Sequence, residues 1–410
     1  MKQNPTHAAL TRLAETYIRL VLSVGSHDAD YVDAYYGPES LKGEELSLEA
    51  IRKRAAGAIA ELRMLSPTRM EGMLRLRHLY LLRQLQALVA RVDLLGGKKM
   101  TFDEESQALY DATAPSFPEE HFTKILDELD GALPGKGSVP ERFEAYRSAF
   151  VVPPAKLDGV FKAAIDESRA RTAGRITLPE GESFTVEYVT GKPWSGYNWY
   201  KGNCHSLIQV NTDLPVTVDR AVDLASHEGY PGHHVYNSLL ETHLVRGKKW
   251  MEFTVYPLFS PQSLIAEGTA NFGIDMAFPG EERVAFERDV LFPLAGLPGR
   301  DAPEYYRVHG LFLKLAYAGN EAARRYLDGA CSREEAVDYL VRFALMSADR
   351  AMQRTKFFDK YRSYVINYNL GQDMVRRYIE SAGGVVRKPD LRWKIFEELI
   401  SSPRLPSGLL

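Results

Sequence analysis

Apolar side chains recur at helical spacing through most of the first 175 residues. The clearest stripe follows intervals of three and four residues and consists of Leu74, His78, Leu81, Leu85, Leu88 and Val92. Such spacing is typical of the buried face of a helix, and the Gly96–Gly97 pair would end it. Helical patterns continue over residues 119–129 and 140–150. We predict a helical N-terminal lobe over residues 1–175, with His78 in its core.

The pattern then changes from helical spacing to strand alternation. Three short runs are rich in β-branched and aromatic side chains: residues 183–190, 194–200 and 205–211. Runs of this kind between turn residues are typical of strands, so we predict a small antiparallel sheet within residues 176–211. A helix is then expected to begin at Thr217, a residue suited to cap it, and to run to residue 240.

The rest of the chain is mainly helical in pattern. Ser332 and Glu335 have the spacing of a capping box at the start of one of these helices. We therefore predict a mainly α fold with one small antiparallel sheet. It is expected to form two lobes, residues 1–175 and 176–410, which lie around a cleft and pack as one compact unit.

Composition narrows the classes of protein without identifying one. A formal net charge of −3 and a pI near 6.4 give no electrostatic reason to expect nucleic acid as a partner. No apolar run reaches the roughly 18 residues of a membrane-spanning helix, so no membrane partner is expected. Cys204 and Cys331 are too few for a disulfide framework, and the first residues lack the apolar core of a signal peptide. We expect a cytoplasmic protein and leave its oligomeric state open.

The candidate chemistry is concentrated in residues 227–234, His-Glu-Gly-Tyr-Pro-Gly-His-His. In the H-E-x-x-H pattern, two histidines four residues apart bind zinc from one face of a helix, and the glutamate between them is the general base. Glu228 fits the position of the base. Pro231 stands where the second histidine would be, so this motif is a stretched version of the pattern.

Helix geometry shows why the two extra residues in the motif require a distorted backbone. In a straight helix His233 would point about 120° away from His227, and His234 would lie about 10 Å along the axis. Pro231 lacks an N–H and Gly232 tolerates unusual backbone angles, so a bulge or kink is expected between the histidines. A bulge that absorbs two residues would bring His233 to the second ligand position, with His234 as the alternative.

A third ligand is expected downstream, because catalytic zinc sites take three protein ligands and keep a fourth position for water. Residues 263–274 form a helical stretch in which Glu267 is the only ionisable side chain. Metal coordination would offset the cost of burying that carboxylate. We expect one zinc ion per chain, with Asn271, one turn further on, hydrogen-bonded to a ligand histidine.

Amide hydrolysis also needs a base and a donor for the oxyanion. Glu228 would take a proton from the metal-bound water and pass it to the leaving amine. Tyr364 and Tyr368 are four residues apart in a helical stretch and therefore face one way; Tyr368 is the candidate oxyanion donor and Tyr364 a supporting group, although such a pair is equally typical of packing. His234 is a second candidate neighbour of the oxyanion. The strand at 205–211 could bind an extended peptide along its edge.

These motifs resemble a known family. The octapeptide, followed by a helix that contains Glu267-Gly268, is similar to the bacterial domain of unknown function numbered 885, one of the zincin metallopeptidases with the gluzincin ligand set. More distantly it resembles the Taq-type carboxypeptidases and the peptidases related to thimet oligopeptidase and angiotensin-converting enzyme. The resemblance covers most of the chain and is weakest in the N-terminal third. It implies a large helical zincin-like fold.

The resemblance also implies roles for individual residues. In the distant relatives the helix reads like HEFGHGLYE, and matching its Gly-His pair to Gly232-His233 favours His233 over His234. The resemblance implies Glu267 as the third ligand. It implies Tyr368, three residues before Gly371, as the oxyanion donor.

Two departures from the family pattern lie near the expected site. Arg362-Ser363-Tyr364 stands where the family usually has Pro-Gly-Gln, and Glu267-Gly268-Thr269 stands where it has Glu-Gly-Trp. Substrate preference is therefore not carried over from the family. The proposed ligands are unaffected by either change.

The leading hypothesis is a mononuclear zinc metallopeptidase that cleaves short peptides in a cleft. The alternatives are a zinc amidohydrolase acting on non-peptide amides, and an inactive metal-binding or peptide-binding protein. The retained base Glu228 argues against the inactive form. Whether cleavage is from the amino end, from the carboxyl end or internal stays open. Arg350, Arg354 and Arg362 lie near the Tyr368 helix and either hold a substrate carboxylate or are solvated surface charges.

Overall fold

The computed structural model describes residues 5–192, 194–213 and 215–410, except for the side chain of Arg69. The first four residues of the predicted N-terminal lobe lie outside the described residues. The protein is mainly α-helical, as the sequence predicts, and its described residues also form two small sheets. None of the helices in the described ranges combines the length and the apolar character that crossing a bilayer requires.

The first part of the described chain contains seven α-helices and a short strand. The helices are α1 (Pro5–Gly25), α2 (Leu48–Met64), α3 (Gly72–Leu95), α4 (Phe102–Tyr110), α5 (Glu119–Ala132), α6 (Val139–Ser148) and α7 (Pro154–Ala173). The strand is β1 (Val32–Tyr35).

The second part of the described chain contains the remaining strands and helices. The strands are β2 (Ser183–Val189), β3 (Gly196–Gly202), β4 (His205–Asn211) and β5 (Val255–Pro257). The helices are α8 (Asp219–Leu224), α9 (His233–Leu240), α10 (Pro261–Ala277), α11 (Glu281–Phe286), α12 (Phe292–Ala295), α13 (Ala302–Leu313), α14 (Ala318–Leu327), α15 (Arg333–Phe343), α16 (Ala348–Tyr361), α17 (Ile366–Ser381) and α18 (Pro389–Ile400).

Helix α3 carries the predicted apolar stripe. Its members Leu81, Leu85, Leu88 and Val92 are buried. His78 is also buried, and its Nε2 lies 2.8 Å from the carbonyl oxygen of Leu62. The prediction that His78 is a hydrogen-bonded core residue is confirmed.

The three-stranded sheet is mixed, so the prediction of an antiparallel sheet is wrong in part. Its strand order is β2-β4-β3, in which β4 pairs antiparallel with β3 and parallel with β2. Alternation of side chains is the same in both kinds of pairing, so the sequence pattern could not reveal strand direction. The central strand β4 is paired on both sides, so it has no free edge at which to bind a peptide. The prediction that the strand at residues 205–211 could bind a peptide along its edge is therefore wrong. Strand β3 is an edge of this sheet.

The second sheet was not predicted. In it β1, from the N-terminal part of the chain, pairs antiparallel with β5. Its strands are only 4 and 3 residues long, too short for an alternating pattern to stand out. The pairing joins this early strand to one that lies shortly before α10 in the chain.

Helix ends agree with the sequence in one case and differ in another. Ser332 and Glu335 form the predicted capping box, with the Glu335 N–H donating to Ser332 Oγ at 3.2 Å. The predicted cap at Thr217 is wrong: α8 begins at Asp219, and no side chain caps it.

Two hydrophobic cores span the predicted boundary between residues 175 and 176. The larger one includes Leu81 of α3, Leu264 of α10 and Ile366 of α17. The smaller one joins Phe161 of α7 to Val222 of α8. Helices from both sides of the boundary therefore share their apolar surfaces, and the site described below lies where they meet.

Candidate metal centre

The helix that carries the histidine motif breaks between its histidines. Residues Ala225–Gly229 form a π-helical turn after α8, and α9 begins only at His233. In the break, the Gly232 N–H donates to the carbonyl of Ser226 at 2.9 Å. A Cβ on Gly232 would lie 1.9 Å from the carbonyl oxygen of His227, so only glycine fits there. The predicted kink is confirmed, in the form of a complete interruption of the helix.

This break brings three candidate ligand atoms together. His227 Nε2 lies 3.1 Å from His233 Nε2 and 3.3 Å from Glu267 Oε2, and His233 Nε2 lies 3.7 Å from the same oxygen. Zinc holds such ligands at about 2.0–2.2 Å in a tetrahedral arrangement, which places them about 3.3–3.6 Å from one another. The three atoms are therefore spaced as ligands of a single ion.

The bonding of Glu267 also fits a metal ion. Its Oε1 accepts a hydrogen bond from the Tyr364 hydroxyl at 2.7 Å, whereas its Oε2 is buried without a hydrogen-bond partner and faces the two imidazoles. Burial alone would raise the pKa of Glu267, but His227 and His233 outweigh it and hold that pKa well below its usual range. Glu267 is thus held as a carboxylate, which is the form that binds a metal ion.

Asn271 lies within hydrogen-bonding distance of the first histidine of the motif. His227 Nδ1 lies 3.0 Å from Asn271 Oδ1, and Asn271 Nδ2 donates to the carbonyl oxygen of Tyr368 at 3.1 Å. An Nδ1–H that donates to this oxygen leaves the lone pair on Nε2, which points to the cluster. Asn271 therefore fixes the ring in the state that a metal ligand needs.

His234 lies in a different network. Its Nδ1 is 2.9 Å from Ser206 Oγ, its Nε2 is 2.9 Å from Glu182 Oε2, and its side chain is fully buried. Glu182 also accepts hydrogen bonds from Tyr230 and Arg169. Burial raises the pKa of Glu182, but the hydrogen bonds from His234, Tyr230 and Arg169 outweigh burial and lower this pKa to about 2. Both ring nitrogens of His234 are thus engaged away from Glu267, and the structure does not bring it into the cluster.

Glu228 is held beside the cluster by strand β3. Its carboxylate is buried, and its backbone carbonyl accepts a hydrogen bond from Asn198 Nδ2 at 2.7 Å. A Cβ on Gly196 would lie 2.7 Å from Leu224 Cδ2 and 3.0 Å from Glu228 Oε1. The glycine therefore lets the edge strand approach the carboxylate closely.

The two tyrosines of α17 and the turn before it have different surroundings. Tyr364 is bonded to Glu267, whereas the Tyr368 hydroxyl makes no hydrogen bond within the described residues. The rings meet edge to face with centroids 5.8 Å apart. Burial raises the pKa of Tyr368 well above its usual value, and the nearby Glu267 raises it further. Tyr368 is thus a neutral, unengaged donor near the cluster.

A close helix crossing places Glu267 beside these tyrosines. A Cβ on Gly268 of α10 would lie 2.5 Å from the carbonyl group of Gly371 of α17. The two backbones can approach so closely only because both residues are glycines. This gives a physical reason for the Glu267-Gly268 pair and for Gly371 near Tyr368.

The sequence-based reasoning missed Asp33. This residue of β1 accepts a hydrogen bond from the Tyr197 hydroxyl of β3. Burial raises its pKa to about 7; His233 lowers this pKa, and Glu267 and Glu228 raise it. A third carboxyl group therefore lies near the cluster. Its position depends on the pairing of β1 with β5, which no local pattern revealed.

Comparison with known proteins shows that the fold is similar to that of a solved structure. No protein-family model and no curated protein matches the chain. A solved structure from Colwellia psychrerythraea, provisionally described as a lipoprotein, is similar to it with a TM-score of 0.53. The two share 16% sequence identity over 87% of this chain and 68% of the other. At this identity the likeness concerns the fold alone.

Proposed function

We propose that this protein is a zinc-dependent peptidase that cleaves short peptides. The observation that carries the proposal is the convergence of His227, His233 and the unpartnered Glu267 Oε2 at distances suited to one ion. Glu228 beside this cluster supports hydrolysis over a purely structural metal site, which needs no base.

The side chains divide the chemistry between them. A zinc ion held by His227, His233 and Glu267 would supply Lewis acidity, which polarises a carbonyl and lowers the pKa of water. Glu228 would accept the proton of the attacking water and deliver it to the leaving amine. Tyr368 would donate its free hydroxyl to the developing oxyanion without adding charge.

Strand β3 supports a peptide as the substrate. One edge of β3 is unpaired within its sheet, and the strand passes Glu228 at Gly196. An extended peptide could add to this edge through main-chain hydrogen bonds, which would align an amide bond with the site. A non-peptide amide would make no use of such an edge, so the amidohydrolase is the second candidate.

We also propose that the chain belongs with the family of bacterial domains of unknown function numbered 885 and has the gluzincin ligand set. The motif at residues 227–234 supports this assignment. The helix break places His233 beside His227, which would let the stretched motif bind zinc as the motif of a zincin does.

A cytoplasmic location is proposed on the basis of the cysteines. Cys204 and Cys331 are both free thiols in the structure, as is common in a reducing compartment. Fractionation of the native host with compartment markers would test this location, and recovery in the envelope fraction would contradict it.

The decisive experiment for the peptidase combines metal content with Glu228→Gln. We expect about one zinc per purified chain by elemental analysis, and release of new amines from a peptide library. Glu228→Gln should keep the zinc and lose hydrolysis, because it removes the base and leaves the ligands in place. A protein without stoichiometric zinc, or a Glu228→Gln variant of full activity, would rule out the proposal. Release of amines from acylated small molecules alone would favour the amidohydrolase.

A further inference from the structure

Three arginines near the Tyr368 helix differ in whether their charge is neutralised. Arg362 Nε lies 2.5 Å from Glu105 Oε2, and this carboxylate also accepts from the Ser363 hydroxyl, so the pair holds the turn before α17. Arg350, on α16, is half-buried, and Glu144 and further arginines act on its charge. Arg354 has no carboxylate within ion-pair distance in the described part of the chain.

The Arg354 guanidinium lies in apolar surroundings. Its Nε is buried without an acceptor. Its charge lies over the ring of Phe357, 4.6 Å from the centroid, and 5.7 Å from that of Phe358. Burial lowers the pKa of Arg354, and the neighbouring Tyr368 raises it. The aromatic rings offset part of the desolvation, but they give the buried Nε–H no acceptor.

A buried guanidinium can instead be neutralised by a carboxylate of the chain itself. The fully buried Arg77, for example, binds Glu252 through two hydrogen bonds of 2.6 and 3.0 Å. Leaving a buried N–H without an acceptor costs free energy. An anion from outside the chain would remove that cost at Arg354, and a carboxylate matches the planar fork of a guanidinium.

A row of aromatic rings leads from Arg354 to the candidate metal centre. The ring of Phe357, which the guanidinium covers, lies 4.6 Å from that of Tyr361. The Tyr361 ring lies 6.2 Å from that of Tyr364, whose hydroxyl is bonded to Glu267.

The Tyr368 hydroxyl lies within electrostatic reach of Arg354 and also of Glu267 and Glu228. The proposed oxyanion donor is therefore a shared neighbour of the guanidinium and of the site. A ligand that meets Tyr368 can extend to Arg354.

We propose that Arg354 binds the carboxylate of the substrate, so that the site takes peptides whose free carboxyl terminus lies close to the bond that is cut. This inference rests on the proposed function. If the protein is a peptidase, a carboxylate site at Arg354 would make it a carboxypeptidase or a dipeptidase. In the cleavage, the hydroxyl of water joins the acyl carbon and a proton joins the leaving amine as the C–N bond breaks. No further reactant is needed.

The test compares binding of paired probes to the full-length protein. The probes are N-acetyl dipeptides, each as the free acid and as the C-terminal amide, titrated calorimetrically into the Glu228→Gln protein so that none is consumed. We expect the acids to bind roughly tenfold or more tightly than the amides, because an arginine–carboxylate pair is bidentate and charged. Arg354→Gln should remove this preference.

Two further variants serve as controls. Arg350→Gln removes a charge one turn earlier on α16 and should leave the preference unchanged. Arg354→Lys keeps the charge but not the planar fork, so it should retain only part of the preference, and it replaces Arg354→Gln as the probe if the glutamine variant does not fold. Equal binding of acids and amides, no binding of either, or the same loss in the Arg350 and Arg354 variants would overturn the proposal.

The test of Arg354 and the test of the proposed peptidase activity can fail independently of each other. Zinc-dependent hydrolysis of acids and amides at equal rates would remove the role of Arg354 and leave the peptidase intact. A preference for acids that depends on Arg354, in a protein without stoichiometric zinc, would support the anion site and reject the peptidase.

Discussion

His227 and His233 lie six positions apart in the chain, yet their Nε2 atoms are only 3.1 Å from each other. An unbroken helix would turn the second side chain about 120° away from the first. The helix ends after a π-helical turn and restarts at His233, and the residue before this restart, Gly232, has no room for a Cβ. The two extra residues of the motif are therefore accommodated in the break, and the histidines meet as they would in an H-E-x-x-H helix.

The first prediction separates the two adjacent histidines. His233→Ala should lose stoichiometric zinc, because two ligands bind far more weakly than three. His234→Ala should keep the zinc but lose on the order of 2 kcal/mol of stability, since Glu182 and Ser206 lose a buried partner. Elemental analysis and urea denaturation of both variants measure the two effects. Loss of zinc from the His234 variant alone would reverse the assignment.

The sequence predicted the cluster itself well but not its surroundings. His227, Glu228 and His233 are local in the chain, and Glu267 stands out as the one charge in an apolar helical stretch, so pattern alone could find them. The choice against His234 depends on Glu182, which is 52 positions away. Such a contact follows from the packing of the sheet on the helix, and the direction of a strand in a sheet is invisible to alternation. Asp33 was missed because its strand β1 is too short to show a pattern and pairs with the distant strand β5.

The second prediction separates the two tyrosines. Tyr368→Phe removes the proposed oxyanion donor and should lower kcat about 10²–10³-fold with zinc content unchanged. Tyr364→Phe removes a hydrogen bond to the proposed ligand Glu267 and should weaken zinc affinity roughly tenfold, with a smaller effect on kcat of the zinc-saturated protein. Steady-state kinetics and competition with a zinc chelator measure these effects. Similar kinetics for both variants at saturating zinc would show that neither hydroxyl has a separate role.

The third prediction concerns the contact between strand β3 and the base. Gly196→Ala would place a methyl group 2.7 Å from Leu224 Cδ2 and 3.0 Å from Glu228 Oε1. Because the carboxylate must shift, we expect hydrolysis to fall about tenfold or more while zinc content is retained. The exposed Gly57 of α2, where a Cβ meets nothing within 4 Å, provides the control. Gly57→Ala should leave hydrolysis unchanged, and unaltered activity of the Gly196 variant would show that β3 does not position the base.

The last prediction concerns pH and a carboxyl group remote from the metal cluster. Glu287 is fully buried; its Oε1 accepts from Arg283 Nε at 3.0 Å, and its Oε2 has no partner. Burial raises its pKa to about 7, with Arg283 opposing the rise. Below about pH 4.3, the pKa of a glutamate in the unfolded chain, Glu287 is protonated in both the folded and the unfolded protein, so its ionisation does not affect stability. As the pH rises towards 7, the unfolded chain ionises first and the folded protein loses stability.

Glu287→Gln should remove this dependence. The stability of the wild-type protein relative to the variant should fall between pH 5 and pH 8 by about 1–3 kcal/mol, because one pKa unit corresponds to about 1.4 kcal/mol. Urea denaturation at a series of pH values measures the difference, in which other titrating groups cancel. Glu281→Gln, at an exposed position of α11, should show no such change. A difference between wild type and Glu287→Gln that stays constant from pH 5 to pH 8 would mean that Glu287 ionises normally in the folded protein.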